Sequence, residues 1–209
     1  MEVDNTVADV ITRAEQVIPQ LSPTAVRWTR GDCDALEKAG FLTYNYELVD
    51  GVINRMGQNI RHGILVRLIL AWLFSAFGDE FVLTQVTIDV SPEDNPTNAP
   101  EPDAIVLTRP AEDLPSNPLP SDIRLCVEAS DSTLSFDLST KARLYARAGI
   151  REYWVLSVRD RTLHVHRSPA GGVYQEVTIC GEEEQVSPCS APDVLIQVGK
   201  LLPKLTAIP

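Results

Sequence analysis

Two short apolar segments constrain the fold of this chain more than any other feature. Ala104–Leu107 and residues 123–127 are almost wholly apolar, and proline-rich loops at 91–102 and 109–122 precede them. A continuous apolar strand is typical of the centre of a sheet, where both faces are covered. We therefore predict a central sheet that contains both segments and carries helices on its faces.

Hydrophobic periodicity predicts the surrounding elements. Apolar residues recur at helical spacing, and strands are indicated by alternation of apolar and polar residues or by turn residues such as Asp50-Gly51. The expected helices are 4–18, 32–40, 58–77 and 137–148, and the expected strands or hairpins are 44–53, 81–90, 104–107, 123–127, 152–158 and 161–167. This order predicts a mixed α/β arrangement (α+β, with a mixed sheet) in which the helices beginning at 58 and 137 cover the sheet.

The bulk properties limit the function without deciding it. The 209 residues carry a net charge of −11, which argues against nucleic-acid binding through a broad basic surface. The apolar run at 60–77 is interrupted by Arg61, His62 and Arg67, so we expect a buried helix and no membrane span. The four cysteines lack paired short spacing and the first residues lack a signal-peptide pattern, and both observations predict a cytoplasmic location.

Two carboxylates border the central segments. Asp103 directly precedes one of them, and Glu128 directly follows the other. If the strands are neighbours, the two acids meet at one side of the sheet, where they would repel each other unless a cation lies between them. Mg²⁺ prefers carboxylate oxygens together with water and phosphate oxygens. We therefore predict a metal site formed by Asp103, Glu128 and the backbone carbonyl of Ala129.

A lysine on the following helix strengthens this hypothesis. Lys141 falls between Tyr145 and Ala148 on the apolar side of the helix predicted at 137–148. A lysine on a buried face needs a partner, and a carboxylate cluster would provide one. In a hydrolase, its ammonium could orient the attacking water and stabilise charge in the transition state.

An ordered set of motifs resembles a known family. The motifs are, in order, Pro102-Asp103, Val127-Glu128-x-Ser130, then Asp137, Lys141 and Tyr145, and finally Gly149-Ile150 and Glu152-Tyr153-Trp154-Val155, and this set is similar to the Uma-type family. Tyr46–Val49 followed by Asp50-Gly51, with His62 at the start of the long helix, extends the resemblance over about residues 44–167. The family is assigned to endonucleases with the restriction-endonuclease-like PD-(D/E)xK fold and has long been classed as a domain of unknown function.

The resemblance implies the roles of individual residues. Asp103 and Glu128 would be metal ligands for Mg²⁺ or Mn²⁺, Lys141 would be the catalytic lysine moved to a helix, and Glu47 would be an auxiliary acid near the metal and water. Ser130 stands where related nucleases have lysine, as is common in this family. The implied substrate is DNA. The implied organisation is an N-terminal helical arm (1–40), a restriction-endonuclease-like core (41–168) and a C-terminal β extension of the same domain (169–209).

Other interpretations remain open at this point. Glu128 could form a structural salt bridge with Arg124 or Arg151, Asp103 could be a strand-entry residue, and Lys141 could extend to solvent. Because the chain is acidic, it could be a catalytically inactive, dimeric binding or regulatory module, or a phosphoesterase for a small nucleotide. We also expect a homodimer, since the apolar side of residues 4–18 and the proline-rich loops offer surface for association.

Overall fold

A central sheet flanked by helices forms the part of the chain that the computed structural model describes, residues 26–57 and 59–204. The helix predicted at 4–18 lies outside these residues. The strands are β1 (Tyr46–Val49), β2 (Val52–Arg55), β3 (Val82–Leu83), β4 (Ala104–Leu107), β5 (Ile123–Ser130), β6 (Glu152–Ser157), β7 (Thr162–Ala170), β8 (Val173–Gly181), β9 (Gln185–Val186) and β10 (Ile196–Gln197).

Six of these strands form the main sheet, in the order β3-β4-β5-β6-β7-β8. β5 and β6 are parallel, and the other neighbouring pairs in this sheet are antiparallel, so the predicted mixed sheet is confirmed. The predicted central strands are indeed neighbours: Ala104 lies opposite Val127 in the β4–β5 register. This register brings the residues just outside that pair, Asp103 and Glu128, next to each other. β1 and β2 form a separate hairpin beside the sheet.

The helices of the described residues are α1 (Arg30–Lys38), α2 (Ile60–Phe77), α3 (Leu134–Phe136) and α4 (Ala142–Ala148), and a π-helical turn, Asp137–Lys141, joins α3 to α4. The N-cap of α1 is Thr29, with Asp32 as its capping-box partner, so the helix predicted at 32–40 begins two residues earlier. Likewise, the helical segment predicted at 137–148 begins earlier, at Leu134, and Asp137 lies inside it. Gly149, in the left-handed region at φ 82°, ends α4, which agrees with the predicted helix end at residue 148.

The sheet has a hydrophobic core on each face. On one face, Leu65, Ile69 and Leu73 of α2 pack against β5 and β6, and Trp72 stacks on Trp154. On the other face, Leu144 and Tyr145 of α4 belong to the second core. Because side chains alternate along a strand, Val127 and Ala129 face α2, whereas Glu128 faces the side of the sheet that α4 covers.

Two sequence expectations need correction. The strand expected at 81–90 is a strand only at Val82–Leu83, because Gln85 has a positive φ of 50° and interrupts the extended backbone; Ile88 and Val90 are nevertheless buried. The long helix α2 was expected to be buried, but only 22% of its residues are. The proposed boundaries at residues 40 and 168 stay predictions.

Candidate active site

Lys141 and two carboxylates form the centre of the site. The Lys141 Nζ lies 2.8 Å from Glu47 Oε2 and 2.8 Å from Glu128 Oε1, and the side chain is almost completely buried. The alternative in which Lys141 extends to solvent is therefore excluded by its position. Glu128 pairs with neither Arg124 nor Arg151 in the described structure, and Arg124 donates instead to the Thr108 carbonyl.

The folding of the 134–148 segment explains why Lys141 reaches Glu128. The π-helical turn ends at Lys141, and the parallel connection from β5 to β6 places this segment over the carboxyl half of β5. Tyr145, one helical turn later, donates a hydrogen bond of 3.1 Å to the same Glu128 oxygen. The lysine and the tyrosine thus approach Glu128 from one side of the helix, as the apolar periodicity predicted for Lys141.

Asp103 occupies a neighbouring position with different partners. Its Oδ2 accepts a hydrogen bond of 2.8 Å from the Ala129 amide, and its Oδ1 lies 3.1 Å from His62 Nε2. The other ring nitrogen of His62 lies 2.9 Å from the Ala129 carbonyl oxygen. Both partners of the ring are acceptors, and only the imidazolium can donate from both nitrogens. The hydrogen bond to Asp103 raises the pKa of His62, although burial partly opposes this shift.

His62 and Asp137 are site residues that the sequence interpretation underestimated. His62 received no role from the sequence, yet its ring lies 2.9 Å from the Ala129 carbonyl oxygen that was predicted to be a metal ligand. Asp137, which the resemblance includes without assigning it a role, is buried in the same cleft and accepts a hydrogen bond from Thr133 at 2.7 Å. Asn59 caps α2 by accepting a hydrogen bond from the His62 amide, but this local contact does not indicate which residues the imidazole ring meets.

The electrostatics of the cluster are dominated by burial. Burial, together with the neighbouring carboxylates Asp103, Asp137 and Glu47, raises the pKa of Glu128 well above its usual range, and the Lys141 ammonium opposes this shift. Burial also raises the pKa of Asp137. For Lys141, burial alone would lower the pKa, but the surrounding carboxylates raise it well above its ordinary value, so the amine remains protonated.

These groups line one cleft with a volume of about 760 Å³. One wall is the β1–β2 hairpin with Asn54 and Met56, and the other is the segment 131–141. The side chains that meet at its base are Glu47, His62, Asp103, Glu128, Asp137 and Lys141. If all six side chains are ionised, the four carboxylates and two cations give a net charge of −2, which one divalent cation would neutralise.

The donor chemistry of the cleft fits a hard divalent cation such as Mg²⁺, which binds oxygen ligands. Within residues 26–57 and 59–204, no three His, Cys, Asp or Glu side chains already stand at metal-ligand spacing. Glu128 Oε2 accepts no hydrogen bond from the described residues, since Lys141 and Tyr145 both contact Oε1. The residue types are therefore those that bind a divalent metal. Both carboxylate oxygens of Asp103, however, already have partners, His62 for Oδ1 and the Ala129 amide for Oδ2.

Comparison with known proteins identifies a family and a fold. The family model described as "Uma2: Putative restriction endonuclease" matches residues 39–198. Five solved chains match, and one of them is a "putative nuclease belonging to DUF820 from Anabaena variabilis ATCC 29413". The identity is 14% and the TM-score 0.56, over 79% of this chain and 96% of that chain, which shows a shared fold. A comparison with curated proteins finds no match.

Proposed function

The chain belongs to the family described as "Uma2: Putative restriction endonuclease", and from this membership we propose that it is a Mg²⁺- or Mn²⁺-dependent endonuclease that hydrolyses phosphodiester bonds in DNA. The observation that carries the proposal is the position of the Lys141 ammonium. It lies 2.8 Å from both Glu47 and Glu128, in a cleft that also contains Asp103. A buried cation and several acids in one open cleft are the groups that phosphoryl hydrolysis requires.

Each residue has a role in the proposed reaction. Asp103 and Glu128 would hold the metal ion, which when bound supplies a Lewis acid for the phosphate oxygens. The oxygen of a water molecule forms a bond to phosphorus while Glu47 accepts a proton from that water. The bond from phosphorus to the leaving oxygen breaks, and the leaving oxygen keeps the electron pair and takes a proton from solvent water. Lys141 orients Glu47 and offsets negative charge on the phosphoryl group. The proposed role of the Ala129 carbonyl as a third ligand stays a prediction, because His62 contacts that oxygen.

His62 is a positioning residue in this proposal. Its two ring nitrogens connect the carboxylate of Asp103 with the carbonyl of Ala129, which belong to neighbouring strands. The Ala129 amide completes the arrangement by donating to Asp103. Asp103 is therefore held in one orientation before any ligand arrives, as preorganised sites require.

Plasmid cleavage tests the proposal. Purified protein with Mg²⁺ or Mn²⁺ is expected to nick or linearise plasmid DNA, and Glu47→Gln is expected to lower the rate at least ~100-fold because the proton acceptor is lost. Asp122→Asn is the matched control: Asp122 is a buried carboxylate paired with Arg109, and it does not line the cleft. Undiminished cleavage by Glu47→Gln contradicts the assigned role.

A substrate panel separates the alternatives. Cleavage of mononucleotide esters in place of plasmid would indicate the small-nucleotide phosphoesterase, which an acidic chain tolerates more easily than long DNA. Absence of turnover together with absence of Mg²⁺ binding by calorimetry would indicate the inactive binding module. The cytoplasmic location also stays a prediction.

We also propose that the protein forms a homodimer, and strand β8 supports this. β8 is an edge of the main sheet, and Val177 and Ile179 on it are 53% and 59% exposed. An edge strand offers unpaired backbone groups to another strand, and β8 contains neither lysine nor proline to prevent such pairing. Sedimentation velocity is expected to show a species of twice the 23.0 kDa chain mass at micromolar concentration. Ile179→Lys is expected to yield the monomer.

A further inference from the structure

An exposed apolar stripe runs along the helix α2. Ile60, Ile64, Ala71 and Phe74 are all exposed, and together with Arg67 they follow a spacing of four, three, four and three residues. This is the heptad spacing with which one helix packs along another. We call this set of five residues the α2 stripe.

A groove lies beside the α2 stripe. It has a volume of about 530 Å³ and lies between α2 and the segment that follows β3. Its lining is mostly apolar and includes Val66, Leu70, Ala71, Phe74, Thr84 and Gln85. Monomeric proteins rarely leave a contiguous apolar surface of this kind uncovered.

The charge of α2 indicates what covers the stripe. The helix carries Arg61 and Arg67 and no acidic residue, although the whole chain has a net charge of −11. Residues 4–18 have the complementary character: three acidic residues, one arginine, and apolar residues at Val7, Ile11, Ala14 and Ile18 with the same four-three-four spacing. Asp9 and Glu15 are six residues apart, as are Arg61 and Arg67.

We propose that residues 4–18 pack as an amphipathic helix on the α2 stripe of the same chain, with Asp9 and Glu15 beside Arg61 and Arg67. The connection to Val26 is long enough, because the seven residues 19–25 span up to about 25 Å when extended. The other side of α2, with Leu65, Ile69 and Leu73, packs into the sheet core, so the pairing would enclose α2 between the core and the arm. The proposal is independent of the proposed nuclease activity.

Hydrogen exchange of the full-length protein tests the pairing. Amides within residues 4–18 are expected to exchange on the order of tenfold more slowly than in an unstructured chain. Phe74→Asp and Ile64→Asp, at positions where the residues are 40% and 37% exposed, are expected to abolish this protection. Arg67→Glu is expected to weaken it, and a second change, Glu15→Arg or Asp9→Arg, is expected to restore it. The matched control is Arg143→Glu, an exposed arginine on α4.

Three results would overturn the proposal. The first is the absence of protection at residues 4–18, or protection that Phe74→Asp and Ile64→Asp leave unchanged. The second is protection that disappears on dilution, which would mean that a second copy covers the stripe, because a dimer formed through β8 leaves a pairing within one chain unchanged. The third is binding to phospholipid vesicles that Phe74→Asp abolishes, because α2 is the one helix of the described residues whose length and mean hydropathy of 1.5 would suffice to span a membrane.

Discussion

The ammonium of Lys141 lies 2.8 Å from the Oε1 atom of Glu128, although the two residues are thirteen positions apart and belong to a helical turn and a strand. In the common nuclease pattern the lysine follows two residues after the acid on the same strand, where this chain has Ser130. The parallel connection between β5 and β6 returns a lysine to the same carboxylate from the helical side. Lys141 therefore contacts the carboxylate of Glu128 even though position 130 is a serine.

Removal of the buried ammonium is expected to affect both stability and activity. Lys141→Met leaves Glu47 and Glu128 without their shared cation, and breaking a buried ion pair costs about 3–5 kcal/mol in unfolding free energy. Urea denaturation at neutral pH measures this loss, and plasmid cleavage is expected to disappear. Arg143→Met, on the exposed side of α4, is expected to change neither quantity. A fully stable Lys141→Met protein would show that the pair contributes nothing.

Glu128→Gln is expected to weaken Mg²⁺ binding at least ~10-fold, since the neutral amide replaces a proposed ligand. Titration calorimetry measures the affinity. Glu152→Gln is the matched control: Glu152 is also fully buried and accepts hydrogen bonds from Trp154 and Arg167, but it lies outside the cleft. Equal affinity for wild type and Glu128→Gln would remove Glu128 from the ligand set.

Two buried tyrosines allow a sharper comparison. Tyr145 donates to Glu128, whereas Tyr153 donates to the Asp137 carbonyl. Tyr145→Phe and Tyr153→Phe are each expected to cost about 1–2 kcal/mol of unfolding free energy for the lost hydrogen bond. Only Tyr145→Phe is expected to weaken Mg²⁺ binding severalfold at pH 6, because the ionised form of Glu128 loses a donor. Identical Mg²⁺ affinities of the two variants would contradict this role of Tyr145.

His166 is expected to make the stability of the fold depend on pH, independently of the candidate active site. Burial lowers the pKa of His166 to about 4, and its Nε2 has no hydrogen-bond partner among the described residues. The unfolded state binds the proton with a pKa of about 6.5. The folded state binds this proton more weakly than the unfolded state does. The free energy of unfolding is therefore unaffected by His166 above pH 6.5 and decreases as the pH falls from about 6.5 towards 4.

His166→Phe tests this expectation, because phenylalanine can replace the ring between Tyr153 and Tyr174 without titrating. Urea unfolding between pH 4 and 7 is expected to show a smaller decrease in stability for the variant than for wild type. NMR titration of the wild-type ring is expected to give a pKa near 4. A titration near 6.5 would mean that the imidazole is accessible to water.

Much of the site was predictable because it depends on short patterns. The positions of Asp103 and Glu128 at the ends of two apolar strands predicted that the two acids meet if the strands are neighbours, and the β4–β5 pairing meets this condition. The helical period predicted that Lys141 points inward. The contacts of His62 in the site could not be predicted in the same way. A histidine in the first turn of a helix acquires a partner only through the position of that helix over the sheet, and here Asp103 and Ala129 provide it.

The amino-acid sequence by itself determined the mixed α+β class, the central strands and the inward face of Lys141, because these follow from periodicities within a few residues. The tertiary structure alone decided which charges neighbour one another. It placed Glu47 of the hairpin beside Lys141, brought His62 within hydrogen-bond distance of the Ala129 carbonyl, and buried Asp137 in the cleft. The physical reason is that ion pairs and buried hydrogen bonds join residues distant in the chain, and their partners are fixed only when the sheet and its helices pack together.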